Sequence, residues 1–313
     1  VDELKKIFMI LPVFLLSIFV VTLNSPALAQ PKPIIVASKI DTEGALLGQI
    51  IILSLESKGL SVTDKTEFGP TNVIRKAIIS DEIDIYPEYT GNGGFFFNGT
   101  DPNVWKNARK GYETVKKLDD ETNKIVWLKP APANNTWAIA ARKDLAKAQN
   151  LKTLEDLAKL INKGGRIKLA SSEEFISRPD ALPSFEKTYG FKLSKEQLVT
   201  FSGGNTAQTE QAAANGTDGV NLAMAYGTDG AIAAFGLIVL ADNKEVQPIY
   251  QPAPIVRSAI YKQYPNLEKI LNPIFATLDL ETLQTLNAKI VIDGLNAKEV
   301  ARDYLVVKGF LKK

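Results

Sequence analysis

The sequence predicts an α/β fold arranged as two lobes around a cleft. Short β-branched runs alternate with amphipathic segments of helical period along most of the chain, the pattern of sheets covered by helices. At 313 residues the chain passes the size, about 250–300 residues, at which a single core stops growing, so two domains are expected. No Pro/Ser/Gly-rich linker interrupts it, so the domains are joined by short crossings rather than a tether. Two α/β lobes facing each other leave a cleft, the usual place for a ligand.

The first segment stands apart. Lys5 and Lys6 precede an apolar run from Ile7 to Leu23, and Ala27 and Ala29 follow in an A-x-A cleavage pattern. The run is 17 residues, at the lower limit for spanning a bilayer. The cleavage pattern favours a signal peptide over residues 1–29, with the mature chain starting at Gln30. No cysteine is present to carry a lipid, so export to a Gram-negative periplasm is expected.

Ile34–Ser38 reads as a buried strand. Asp41-Thr42 then caps a helix from about Glu43 to Lys58, which Gly59 ends. Val62–Thr66 is a strand, and Thr71–Ser80 a helix with Val73, Ile74, Ala77 and Ile78 on one face. Ile83–Tyr86 is the next strand, and this order predicts a mostly parallel sheet. A charged helix over Val104–Leu118 precedes strands near Ile125–Leu128 and Thr136–Ala141. Helices at Leu154–Asn162, Ala181–Tyr189 and Thr206–Ala214 alternate with strands at Ile167–Ala170, Val199–Phe201, Leu222–Ala225 and Leu237–Ala241. Helices near Asn266–Leu278, Leu280–Lys289 and Ala297–Val307 close the chain, and no repeat of solenoid period is present.

Composition narrows the chemistry. Lys plus Arg is 37 against 35 for Asp plus Glu, so no field of one sign exists to draw nucleic acid or an anionic membrane. Histidine and cysteine are both 0, which excludes Ser-His-Asp and Cys-His nucleophiles, His- or Cys-bound zinc, haem, iron–sulfur clusters and disulfides. No cofactor and no metal are expected.

Four aromatics sit where strands meet loops: Tyr89, Trp137, Tyr226 and Tyr250. Ligands of open α/β sheets bind outside the carboxyl ends of strands, and converging π-faces attract a cation such as a quaternary ammonium. Lys39, just before a helix start, and Arg178, between a strand and a helix, are placed to meet an anion. Asp84 and Glu88 form a carboxylate pair that a glycosidase would use. Period two puts Asp84 and Tyr86 on one face and leaves Glu88 in a turn, so a structural role is expected. Gly203-Gly204-Asn205-Thr206 reads as a tight strand–helix turn.

The stretches Ser38-Lys39-Ile40-Asp41-Thr42-Glu43, Asp84-Ile85-Tyr86-Pro87-Glu88-Tyr89-Thr90-Gly91, Asn134-Asn135-Thr136-Trp137, Arg178-Pro179-Asp180 and Ala225-Tyr226-Gly227-Thr228-Asp229-Gly230 resemble one family. It is that of the periplasmic substrate-binding proteins of glycine betaine/choline/proline-betaine ABC importers, most closely the osmoprotectant-binding OsmF type. The similarity covers nearly all of residues 33–313. It implies a type II-like two-lobe periplasmic binding protein fold with two chain crossings, near residues 133–135 and 247–251. Residues 30–134 and 247–313 then form lobe 1, and residues 135–246 lobe 2.

The resemblance also implies a cage of Tyr89, Trp137, Tyr226 and Tyr250 around a trimethylammonium group. Lys39, Arg178 and Asn92 are assigned to the ligand carboxylate, with Asn135, Thr90 and Asp41 as further pocket residues. Relatives often carry Thr where this chain has Asn92 and Gln where it has Gly44, which implies weaker betaine binding. The implied partners are a betaine-type solute and the permease and ATPase subunits of an importer at the inner membrane. The protein itself is expected to be a monomer with no catalytic activity. Buried Lys39 and Arg178 would be unpaired without a ligand carboxylate, a costly arrangement, which favours glycine betaine over choline. The alternatives are a binding protein for choline or an amino acid, and an exported carboxylate-dependent hydrolase on a similar fold. No Ser-x-x-Lys stands at a helix start to support the hydrolase.

Overall fold

Two five-stranded sheets organise residues 32–312, the part of the chain that the computed structural model describes. The expected signal peptide, residues 1–29, lies outside the described residues. In chain order the strands are β1 (Ile34–Lys39), β2 (Val62–Gly69), β3 (Ile85–Tyr89), β4 (Ile125–Trp127), β5 (Trp137–Arg142), β6 (Leu169–Ser172), β7 (Leu198–Phe201), β8 (Leu222–Tyr226), β9 (Leu237–Val239) and β10 (Pro252–Arg257). The first sheet has the order β2-β1-β3-β10-β4 and the second β7-β6-β8-β5-β9.

As expected, β1, β2 and β3 run parallel; each sheet is mixed because one strand of its five runs against the other four. β1 runs parallel to β2 and β3, and β6 parallel to β7 and β8. β10 lies antiparallel between β3 and β4, and β5 antiparallel between β8 and β9. β5 and β10 are each the first strand after the chain passes from one sheet to the other. No crossover helix precedes them within their own sheet, so nothing imposes a parallel direction.

β10 is a strand that Pro252 and Pro254 disguise in the sequence. Their carbonyls accept from Leu128 N at 3.0 Å and Ala131 N at 2.8 Å, so the edge that lacks N–H donors is the one asked to accept. The charged helix expected over Val104–Leu118 is two helices, Pro102–Trp105 and Ala108–Asn123. Asn107 starts the second by accepting from Lys110 N at 3.0 Å. The helices Lys143–Gln149, Glu173–Ser177 and Ser258–Gln263 were not foreseen, because two turns or fewer carry too little periodicity to read.

The helix Thr42–Glu56 is buried along its whole length from Glu43 to Leu55. It packs against β1 and β2 on one side and the helices Leu280–Val291 and Ala297–Val307 on the other. That explains an apolar sequence with no polar face: Leu46, Leu47, Ile50 and Ile51 are all fully buried.

The outer helices of the first sheet meet at a buried ion pair. Arg75, from the helix Thr71–Ile79, forks onto Asp119 of the helix Ala108–Asn123, with Nη1 2.9 Å from Oδ2. Trp127 Nε1 donates to Oδ2 at 2.7 Å and Asn123 Nδ2 to Oδ1 at 2.8 Å, so the carboxylate is fully satisfied. Asp119→Ala leaves the Arg75 charge and the Trp127 N–H buried without a partner. A loss of about 3–5 kcal/mol is expected in urea unfolding; a midpoint equal to wild type would refute this role.

The chain passes between the sheets twice, after β4 and after β9. The two passages run side by side, with Asn135 N donating to Tyr250 O at 2.9 Å and Tyr250 N to Asn134 Oδ1 at 2.8 Å.

Candidate functional site

The antiparallel strands explain why the four aromatics share one edge. Trp137 opens β5 and stands in register with Tyr226 at the end of β8, while Tyr89 at the end of β3 pairs with Pro252 at the start of β10. Tyr250 precedes that start by two residues. All four side chains line one cavity, together with Lys39, Asp41, Asn92, Asn135 and Arg178. The rings of Trp137 and Tyr226 lie 4.8 Å apart between centroids and tilted, and Phe175 backs Trp137 at 5.1 Å. The Tyr250 hydroxyl donates to Asp180 Oδ2 at 3.3 Å.

Lys39 reaches the cavity from a bulge. The β1–β2 register slips between Ala37 and Lys39, where Ser38 Oγ accepts from Glu67 N at 2.8 Å and donates to Lys39 O at 2.9 Å. Lys39 Nζ lies 4.8 Å from the centroid of the Tyr89 ring and 2.7 Å from Glu88 Oε1. The same oxygen accepts from Asn92 Nδ2 and Tyr89 N, each at 2.7 Å, and Tyr86 OH donates to Oε2 at 2.8 Å. Burial alone would raise the Glu88 pKa, but Lys39 and these donors hold it below the usual carboxylate range.

Glu88 therefore sits inside β3 on the face of Tyr86, not in the expected turn. Asp84 has different partners, Ile35 N at 2.9 Å and Arg257 Nη1 at 2.7 Å, so the two carboxylates form no shared dyad.

Arg178 ends the short helix Glu173–Ser177. Its Nε and Nη2 donate to Asp180 at 2.9 and 2.6 Å, and its Nη1 donates to Glu174 at 2.9 Å. The guanidinium stacks over Phe95 at 4.2 Å. Burial works against its charge, yet Asp180 and Glu174 raise its pKa above the ordinary arginine value. Both cations thus already hold protein carboxylates. This corrects the expectation that they would be unpaired without a ligand. The partners lie close in sequence, at i−4 and i+2 of Arg178.

Thr90 does not line the cavity. Its hydroxyl donates to Ile249 O at 3.0 Å and accepts from Gln251 N at 3.1 Å, fastening the end of β3 to the returning passage. Gly44 also stands outside. A Cβ there would lie 2.7 Å from Lys39 O, so its role in this conformation is close backbone approach. Asp41 caps the helix Thr42–Glu56 by accepting from Gly44 N at 2.8 Å, and burial pushes its carboxyl up to about 6. The Gly203 turn is as expected, at φ 80°, and a Cβ on Gly204 would approach Tyr226 OH to 3.3 Å.

Two buried carboxylates behind the cavity were missed. Glu43 Oε1 accepts from Tyr89 OH at 3.0 Å and Asn135 Nδ2 at 2.8 Å, and Oε2 accepts from Asn287 Nδ2 at 2.9 Å. No sequence pattern marks it, because its partners lie 46, 92 and 244 residues away. Asp229 accepts from Tyr226 N at 2.6 Å and Thr206 Oγ1 at 3.0 Å, and shares a hydrogen bond with Glu210.

A cavity at the strand ends of two sheets, walled by aromatic rings and a buried cation from each side, defines the class: a two-lobe substrate-binding protein. Residues 32–306 match the substrate binding domain of the ABC-type glycine betaine transport system, and the chain belongs to that family. It is 57% identical over 285 residues to the glycine betaine-binding protein YehZ of Escherichia coli, covering 91% of this chain and 93% of that one. A glycine-betaine-binding protein of Pseudomonas aeruginosa is 32% identical over 291 residues, covering 90% of each. The structure of apo YehZ from Escherichia coli matches with a TM-score of 0.65, over 90% of this chain and all of that one.

Burial raises the pKa of both Glu210 and Asp229, so the pair holds a proton in the folded state that the unfolded chain has released at neutral pH. Its contribution to stability is fully present below the ordinary carboxylate range and is lost as pH climbs through the raised values. Melting temperature should fall between about pH 6 and about pH 9, and Glu210→Gln, which keeps a donor toward Asp229, should reduce that fall. An equal fall in the variant would show that other groups are responsible.

Proposed function

We propose that this chain captures glycine betaine or a related quaternary-ammonium zwitterion and delivers it to the permease and ATPase of an ABC importer, performing no chemistry of its own. The carrying observation is the convergence of Tyr89, Trp137, Tyr226 and Tyr250 on one cavity. Their π-faces stabilise a cation that cannot hydrogen-bond. The names of the relatives at 57% and 32% identity, both glycine betaine-binding, support the same ligand class. Residues 1–29, read as a cleaved leader, fit a periplasmic site of action.

Lys39 is the group best able to meet the ligand carboxylate. An ammonium has three donors, and one salt bridge to Glu88 leaves others to give. Each nitrogen of the Arg178 guanidinium already donates once, to Glu174 or Asp180, so a ligand anion meets only its two remaining N–H groups, beside two protein carboxylates. Residues 30–134 and 247–313 then act as one lobe and residues 135–246 as the other, with the paired passages at Asn135 and Tyr250 as the hinge. A TM-score of 0.65 at 57% identity supports a fold that is shared without superposing as one rigid body.

Calorimetry tests the cage. Tyr226→Ala should weaken glycine betaine binding by about 0.5–2 kcal/mol, and Tyr226→Phe by less, because the π-face remains. Wild-type affinity in both Tyr226→Ala and Trp137→Ala would remove the cage. The carboxylate end is tested separately. Lys39→Ala should weaken glycine betaine more than choline, since only the first has an anion to lose its donor. Equal losses for the two would mean that Lys39 serves Glu88 alone.

A further inference from the structure

We propose that Asp41 is a specificity determinant of this cavity: its carboxylate is the counter-charge to the ligand's cation, and protonating it loosens the ligand. This rests on the quaternary-ammonium reading above and adds to it the group that balances the positive charge.

The charges around the cavity are unequal in their partners. Lys39 is paired with Glu88, and Arg178 with Glu174 and Asp180. Asp41 lines the same cavity and is buried, but among the described residues no salt bridge reaches it. Its hydrogen bond comes from the backbone N–H of Gly44, at 2.8 Å. A carboxylate left in this state draws a cation strongly, because water does not screen it.

Its position is at the cage. Asp41 lines the same cavity as Tyr89 from one sheet and Tyr226 from the other, and its charge bears on both tyrosines. A cation resting on those two rings has Asp41 beside it. The groups that bear on Asp41 are Lys39 from β1, Glu43 from its own helix, Tyr89 from β3 and Tyr226 from β8. Lys39 favours its ionised form and Glu43 opposes it, while burial outweighs both and pushes the carboxyl up to about 6. With histidine at 0, no imidazole titrates in the same range.

The ionised form binds the cation and the protonated form does not, so affinity falls on acidification. One unit below the midpoint only about a tenth of the molecules are competent, which is a roughly tenfold loss. Calorimetry on wild type, Asp41→Asn and Glu210→Gln, with glycine betaine and choline at about pH 7.5 and about pH 5, tests this. Asparagine keeps the acceptor that caps the helix, so its start is preserved, and a melting curve checks that it folds. Wild type should lose about tenfold in affinity for either ligand at the lower pH. Asp41→Asn should bind weakly at both pH values with no pH dependence, and Glu210→Gln should keep the wild-type dependence. A pH-independent wild type that binds, or an Asp41→Asn variant that keeps the wild-type dependence, overturns the role of Asp41 alone. A wild type that binds neither ligand at either pH overturns the quaternary-ammonium reading, and this inference with it.

Discussion

The carboxylate of Glu43 is the constraint on which the cavity depends. It is 3% exposed, and its hydrogen bonds come from neutral groups: Tyr89 at the end of β3, Asn135 on the first passage between sheets, and Asn287 on a C-terminal helix. Asn135 and Asn287 also donate to Thr228, from the loop that follows β8. A buried carboxylate without donors costs several kcal/mol, so these groups are held in place wherever the helix Thr42–Glu56 puts the charge. One side chain thereby fixes the distance between the strand ends of one sheet and the loop of the other. The aromatic rings inherit their spacing from it.

Around that anchor the polar groups form closed sets. Glu88 gathers Lys39, Asn92, Tyr86 and the Tyr89 backbone, while Asp180 gathers Arg178 and Tyr250. The carboxylate at the centre of each set is satisfied inside the protein, so the walls are organised before a ligand arrives, and organisation of this kind lowers the ordering cost of binding. Asp41 stands outside both sets.

Much of this was readable from the sequence where the signal is local. The helix Thr42–Glu56 announces itself by a capping Asp41 and a long apolar run, and Tyr89, Trp137, Tyr226 and Tyr250 by their places at strand ends. What escaped depends on contacts distant in sequence or on local rules overridden by neighbours. Pro252 and Pro254 hid β10, because their tolerance depends on which edge faces the segment 128–131. Glu88 reads as a turn residue because the expected strand ends at Tyr86, yet β3 continues through Pro87 to Tyr89. Glu43 could not be singled out from 35 acidic residues until its donors were assembled around it.

The sharing of Glu88 Oε1 by Lys39 and Asn92 has an evolutionary consequence. Positions 39, 88 and 92 cannot vary independently. A residue at 92 that no longer donates to Glu88 leaves that oxygen more strongly committed to the lysine, and so makes the ammonium slower to turn toward an incoming anion. Selection acting on position 92 therefore retunes the charge at position 39, and solute preference can drift through a hydrogen bond made to Glu88 rather than to the solute.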